Sequence, residues 1–186
     1  MIKTKSDYRR SSWSGGTTTE LFIYPSESSY KTRDFNIRIS SATVELEESN
    51  FTQLPDYDRV LMILQGDLEI NHHGHYSQKL SKYDSDYFDG AWNTTAKGKV
   101  IDFNLMTSKS LKGNLKYQKI TEDSLIILEK STKHLLVGLY IISGKLLIKE
   151  DNQEIHEGDF LYFDKQDHVF NLQAIVESQV IHIYVS

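Results

Sequence analysis

Two segments of the chain repeat each other, and this limits the fold more than any other feature of the sequence. Arg59-Val-Leu-Met-Ile-Leu-Gln-Gly66-Asp-Leu-Glu-Ile70 and Val137-Gly-Leu-Tyr-Ile-Ile-Ser-Gly144-Lys-Leu-Leu-Ile148 share an apolar run, a glycine turn and a second run in the same register. Each is followed by a polar turn and an aromatic opening, Ser85-Asp86-Tyr87-Phe88 in the first copy and Gly158-Asp159-Phe160-Leu161-Tyr162-Phe163 in the second. Short runs rich in β-branched and aromatic residues, bounded by Gly, Asn, Asp and Ser, read as strands. The repeat therefore predicts an all-β chain built twice.

The second half shows the rhythm most clearly. Leu135–Ile142, Gly144–Lys149, Asp159–Phe163, Val169–Ala174 and Gln179–Val185 are five strand candidates, separated by turns such as Glu150-Asp151-Asn152 and Asp164-Lys165-Gln166-Asp167. In the last of them Val180, His182 and Tyr184 alternate with Ile181, Ile183 and Val185, so one face is expected to be core. Helical periodicity over three turns is absent, and the best helical candidate is the short Thr121-Glu122-Asp123-Ser124. Thr107 to Gly113 is polar, with Ser, Lys and Gly, the composition of a surface connection. The expected domains are 1–112 and 113–186.

The pattern of strand, glycine turn, strand, polar turn and Gly-Asp strand resembles the cupin superfamily, and two copies make a double cupin of two antiparallel jelly-roll barrels. The first half carries a sharper signature. Trp13-Ser-Gly-Gly-Thr-Thr-Thr-Glu20-Leu, Phe35-Asn-Ile-Arg38-Ile-Ser40-Ser-Ala42, Phe51-Thr-Gln-Leu-Pro55-Asp-Tyr57-Asp-Arg59 and Ile101-Asp102-Phe103-Asn104-Leu105-Met106 occur in the order seen in HutD/Ves proteins. This resemblance covers about Tyr8 to Met106, while the second half is similar only as a generic barrel. Many relatives have a longer Trp-Lys-Asn-Gly-Gly-Gly-type segment where this chain has Trp13-Ser14-Gly15-Gly16, so an asparagine contact available there is missing here. The resemblance implies a regulatory or accessory role in histidine utilisation or stress response, with a ligand such as N-formylglutamate and no established enzymatic activity.

Metal-binding cupins usually place a His-x-His pair and a glutamate on the strand before the first glycine. Seven residues before Gly66, the glutamate place holds Arg59, and seven before Gly144 it holds Val137. A guanidinium stays protonated and has no lone pair for a metal. His168, near the usual late-histidine place of the second copy, has no obvious co-ligands, so no metal and no other cofactor is expected.

Arg59 instead offers a planar fork of donors suited to a carboxylate. Arg38, on the same strand face as Asn36 and Ser40, would supply a second clamp, and a dicarboxylate would satisfy both. The alternative is that these arginines pair with Glu20, Asp58 or Asp102. Asp102 and Asn104 alternate with Ile101, Phe103 and Leu105, so they would read an amide or formyl group, face solvent, or hold Arg59 in place. Trp13, before the flexible Gly15-Gly16, would lid the pocket or simply pack, and Phe88 and Trp92 carry the same choice. With Thr18 and Glu20 of the first motif, the expected ligand site is Trp13, Thr18, Glu20, Arg38, Ser40, Arg59, Phe88, Asp102 and Asn104. His72-His73-Gly74-His75 catches the eye as a metal cluster, but it reads as a solvated hairpin tip.

Composition removes other classes. With no cysteine the chain has neither disulfides nor thiolate sites, which fits a reducing cytoplasm. No run is long enough for a membrane span and the start has no apolar signal core, so a soluble protein is expected. A net charge of −5 without a basic stretch argues against nucleic acid. The expected partner is a small carboxylated metabolite. Two rivals remain: a metal-independent isomerase or hydrolase using Asp102 or Glu20 as general base, and an interaction module with a vestigial cup, for which a homodimer would be the natural assembly.

Overall fold

A computed structural model describes residues 1–163 and 169–186. His168 and the Asp164-Lys165-Gln166-Asp167 turn lie outside the described residues. The chain divides into two compact units, Tyr8–Gly113 and Asn114–Ser186, the second of which also includes Met1–Asp7.

In chain order the strands are β1 (Ile2–Lys3), β2 (Arg9–Trp13), β3 (Gly16–Tyr24), β4 (Ile37–Val44), β5 (Glu48–Asn50), β6 (Tyr57–Gln65), β7 (Leu68–His72), β8 (Tyr76–Leu80), β9 (Ser85–Asp89), β10 (Thr94–Lys97) and β11 (Val100–Ser108). They continue with β12 (Gly113–Ile120), β13 (Leu125–Glu129), β14 (Leu136–Ser143), β15 (Lys145–Ile148), β16 (Gln153–His156), β17 (Phe160–Phe163), β18 (Val169–Ala174) and β19 (Ser178–Val185). Among the described residues, helix is confined to one 3₁₀ turn, Lys5–Asp7. The helical candidate at Thr121–Ser124 is a turn, closed by Ser124 N–H donating to Thr121 C=O at 3.2 Å, with Asp123 at φ +62°.

The unit Tyr8–Gly113 has a six-stranded sheet in the order β2-β3-β4-β11-β6-β9 and a four-stranded sheet β5-β10-β7-β8. Its core cluster takes Leu61, Ile63, Phe88 and Val100 from the first sheet and Leu68, Ile70, Leu80 and Ala96 from the second, so the apolar interior lies between the sheets. The other unit has the orders β1-β17-β14-β19-β12 and β13-β18-β15-β16. The run β4-β11-β6-β9 corresponds in order to β12-β19-β14-β17, with β2-β3 added beside β4 in the first and β1 beside β17 in the second, and the small sheets correspond strand for strand. The repeated segments are β6-β7 and β14-β15. Gly66 and Gly144 turn at φ +85° and +94°, and a Cβ at Gly66 would lie 2.4 Å from the Lys99 carbonyl oxygen, so both turns require glycine.

Three expectations need correction. Met1–Asp7 does not belong to the first barrel, because Ile2 and Lys3 extend the second barrel's large sheet by pairing with Leu161 and Phe160. The connection after the first barrel is shorter than Thr107 to Gly113, since β11 continues through Ser108 and Thr107 is buried. In β19 both faces lose water: Val180, Ile181, Ile183 and Val185 are fully buried and His182 nearly so.

Candidate ligand cup

Three adjacent strands of the first barrel set side chains in rows. In β4, β11 and β6 the register puts Met106 between Arg38 and Arg59, Asn104 between Ser40 and Leu61, and Asp102 between Ala42 and Ile63. Opposed residues of an antiparallel sheet point to the same face, so the period-two alternation seen in the sequence becomes a polar wall. Phe103 and Leu105, on the other face of β11, are fully buried. The wall bounds a cavity of about 410 Å³, to which Trp13, Thr18, Tyr30 and the 49–52 segment contribute the remaining sides.

Within this cavity the two arginines differ. Arg38 donates from Nε to Glu20 Oε2 at 2.8 Å and from Nη1 to Ser40 Oγ at 3.1 Å, and its guanidinium lies 4.5 Å from the Tyr30 ring centroid. Among the described residues Arg59 has no ion-pair partner; it sits over the rings of Phe51 and Phe88, at 4.8 and 5.3 Å. Its Nε, together with Asp102 Oδ1 and Asn104 Oδ1, is buried with no hydrogen-bond partner, and each of these residues is only 6% exposed. Buried polar atoms are nearly always paired, so three orphans around one cavity are an unfilled set of donors and acceptors.

Electrostatics follows from burial. Loss of water pushes the Asp102 carboxyl up to about 7, against the opposing pull of Arg59 and the Ala42 backbone amide. Loss of water also lowers Arg59 to about 10, still charged at neutral pH.

Of the residues expected in the site, Trp13, Thr18, Arg38, Ser40, Arg59, Asp102 and Asn104 line the cavity, while Glu20 and Phe88 do not. Glu20 is the partner of Arg38, and Phe88, 1% exposed, belongs to the core beneath Arg59. Asp58 engages neither arginine: it accepts from Lys109 Nζ at 2.6 Å and from the Tyr87 hydroxyl at 2.6 Å. Tyr30, Phe51 and Met106 also line the cavity. Met106 continues the Asp102-Asn104 alternation by two residues and was within reach of the sequence; Tyr30 and Phe51 lie outside strands, where no periodicity marks them.

The histidine cluster is also different from expectation. His72 is 1% exposed, with Nε2 joined to Asp86 Oδ2 at 2.8 Å and Nδ1 to Thr94 Oγ1 at 2.7 Å, and Tyr76 donates to Asp86 Oδ1 at 2.7 Å. His72 follows Leu68 and Ile70 on the inward face of β7, which is why it leaves the hairpin tip. His73 and His75 do lie at the exposed tip, and the His75 ring stacks on Trp92 at 3.9 Å.

The cup does not suit the divalent metal that many cupins hold. Among the described residues its lining supplies one carboxylate and two guanidinium groups but no imidazole, a donor set that repels a cation.

The HutD family model matches residues 5–181. The chain belongs to the HutD family. The match runs through the second barrel as well as the first, where the sequence signature is sharpest. No curated protein matches the chain. Among solved structures, this HutD-family chain is similar to a conserved protein of unknown function, PA5104 of Pseudomonas aeruginosa PAO1, with a TM-score of 0.82, 19% identity and coverage of 100% of this chain and 98% of that one. HutD from Pseudomonas fluorescens SBW25, solved in a formate condition, has a TM-score of 0.73 at 19% identity, again covering 100% and 98%. The bacterial pirin YhhW of Escherichia coli, in complex with nickel(II), has a TM-score of 0.76 at 9% identity, covering 99% and 97%. At these identities the structural likenesses establish the double-cupin fold.

Proposed function

We propose that this HutD-family protein binds a small carboxylated metabolite in its first barrel, without a metal, as a regulatory or accessory component of histidine utilisation or of a stress response in the cytoplasm. The carrying observation is the buried, unpaired Arg59 beside the orphan oxygens of Asp102 and Asn104. A carboxylate on the Arg59 fork would satisfy the donor, and an amide or formyl group of an N-formylglutamate-like ligand would meet Asp102 and Asn104. Thr18 of β3, in register with Ala42, extends the same wall, and Trp13 lines the cavity from the end of β2. The expectation of two equal clamps changes, because Glu20 already engages Arg38.

Calorimetric titration of chelator-treated protein with N-formylglutamate, glutamate, urocanate and imidazolone propionate tests this. Saturable binding of one of them supports the reading, and silence across the panel removes it.

Asp102, with its carboxyl near 7, also has the acidity a general base or acid needs, which favours the metal-independent isomerase or hydrolase as the second reading. Turnover that survives chelation and is lost in Asp102→Asn would establish it. The vestigial-cup reading draws on Leu125 and Ile127, 69% and 66% exposed on the edge strand β13. A dimer of an otherwise silent protein, dissociated by Ile127→Lys, would establish that one.

A further inference from the structure

Arg38 from β4, Arg59 from β6 and Asp102 from β11 line the cup, with Glu20 of β3 and the Tyr30 phenol, from the segment before β4, against Arg38. Glu20 closes on Arg38, which leaves one guanidinium and one carboxylate on the same wall of the cavity with no hydrogen bond between them. The two charges balance. An anionic guest seated on Arg59 would therefore bring a second negative charge beside Asp102, which is only 6% exposed. Two carboxylates sharing such a site do not both stay ionised. The geometry offers the remedy, since Asp102 Oδ1 has no partner among the described residues and a proton placed there can be donated to a guest.

Building on the anion-cup reading above, we propose that the cup takes a single carboxylate at a time and takes it together with one proton, which passes from solvent to Asp102 and is then donated to an oxygen of the guest. The guest's carboxylate accepts from Arg59 Nε–H, the protonated Asp102 donates one O–H hydrogen bond, and no covalent bond is made or broken in the guest. Burial has already brought Asp102 to about 7 in the empty cup, so the proton is available close to neutral pH. The ligand class that fits is a carboxylate carrying a neutral acceptor nearby, with any second carboxylate left at the mouth of the cup.

The test is titration of the chelator-treated full chain with N-formylglycine and N-formylglutamate between about pH 6 and 8.5, in buffers of different ionisation enthalpy. Expected are an affinity that weakens about tenfold per pH unit above about 7, uptake approaching one proton per guest at about pH 8, and a flat profile in Asp102→Asn, whose amide is a permanent donor. Saturable binding with no proton uptake would overturn the proposal while leaving the anion cup standing. An unchanged slope in Asp102→Asn would overturn it too, by moving the titrating group elsewhere. If neither probe binds, the anion-cup reading falls and this one with it. The buffer dependence needs only the wild-type chain, so it decides even if the variant does not fold.

Discussion

The two barrels share one topology and differ in what fills them. Strand register makes the comparison residue by residue: Arg59 corresponds to Val137, Asp86 to Leu161, Phe88 to Phe163, Asp102 to Val180 and Asn104 to His182. In the second barrel Val137, Leu161, Phe163 and Val180 are at most 2% exposed and belong to one apolar cluster. His182 is the polar residue of that wall, joined through Nε2 to Gln118 Oε1 at 2.7 Å, and burial lowers it to about 4, so it stays neutral. The first barrel instead carries a guanidinium, a carboxylate and an amide with unfilled hydrogen-bonding capacity. A duplicated scaffold thus keeps one copy packed for stability, while the other gives up part of its core to a polar cavity.

Placing the first barrel's charge in the second should have the largest effect. Val137→Arg buries a cation among apolar side chains and should lower stability by about 4 kcal/mol or more, measured by denaturant unfolding. A stable, soluble variant would mean that the second barrel also has room for a guest.

The reverse exchange in the first barrel is Asp86→Leu, the residue of the second. It leaves the His72 ring and the Tyr76 hydroxyl without their acceptor and should cost about 2 to 4 kcal/mol. Unchanged stability would show that the buried network adds nothing beyond an apolar core.

Asp102→Asn sharpens the comparison through pH. Burial raises the folded-state pKa of Asp102 from 3.8 to about 7, so between these values the folded chain holds a proton that the unfolded chain has released. The wild type should lose up to roughly 3 kcal/mol as pH rises from about 4 to about 7, and the variant should not. Parallel stability curves would contradict this. Trp13→Ala should have the smallest effect. Trp13 is 42% exposed at the cavity wall, and its loss should weaken guest binding by about 1 kcal/mol with no change in unfolding.

Most of the architecture was legible because it rests on period-two patterning and a repeat, both local properties of the chain. The same alternation placed Asp102 and Asn104 together, and the displaced glutamate marked Arg59. What it left open was pairing between strands. Glu20 and Arg38 are 18 residues apart and meet only because β3 and β4 are neighbours, so clamp and ion pair looked alike in sequence. His72 was misplaced because its histidine neighbours suggested a solvated tip, although its spacing from Leu68 and Ile70 carried the inward alternation. Phe88 shares its face with Asp86 but packs beneath the guanidinium, a depth that alternation does not report.

The measurement that bears most directly on the central claim is the dissociation constant of a small carboxylate, N-formylglutamate first, for chelator-treated wild type and Arg59→Met side by side. The account predicts metal-free, saturable binding by the wild type, weakened by about 2 to 5 kcal/mol in a variant that still folds. Equal binding by both proteins would contradict it, because the buried guanidinium would then not be what holds the guest.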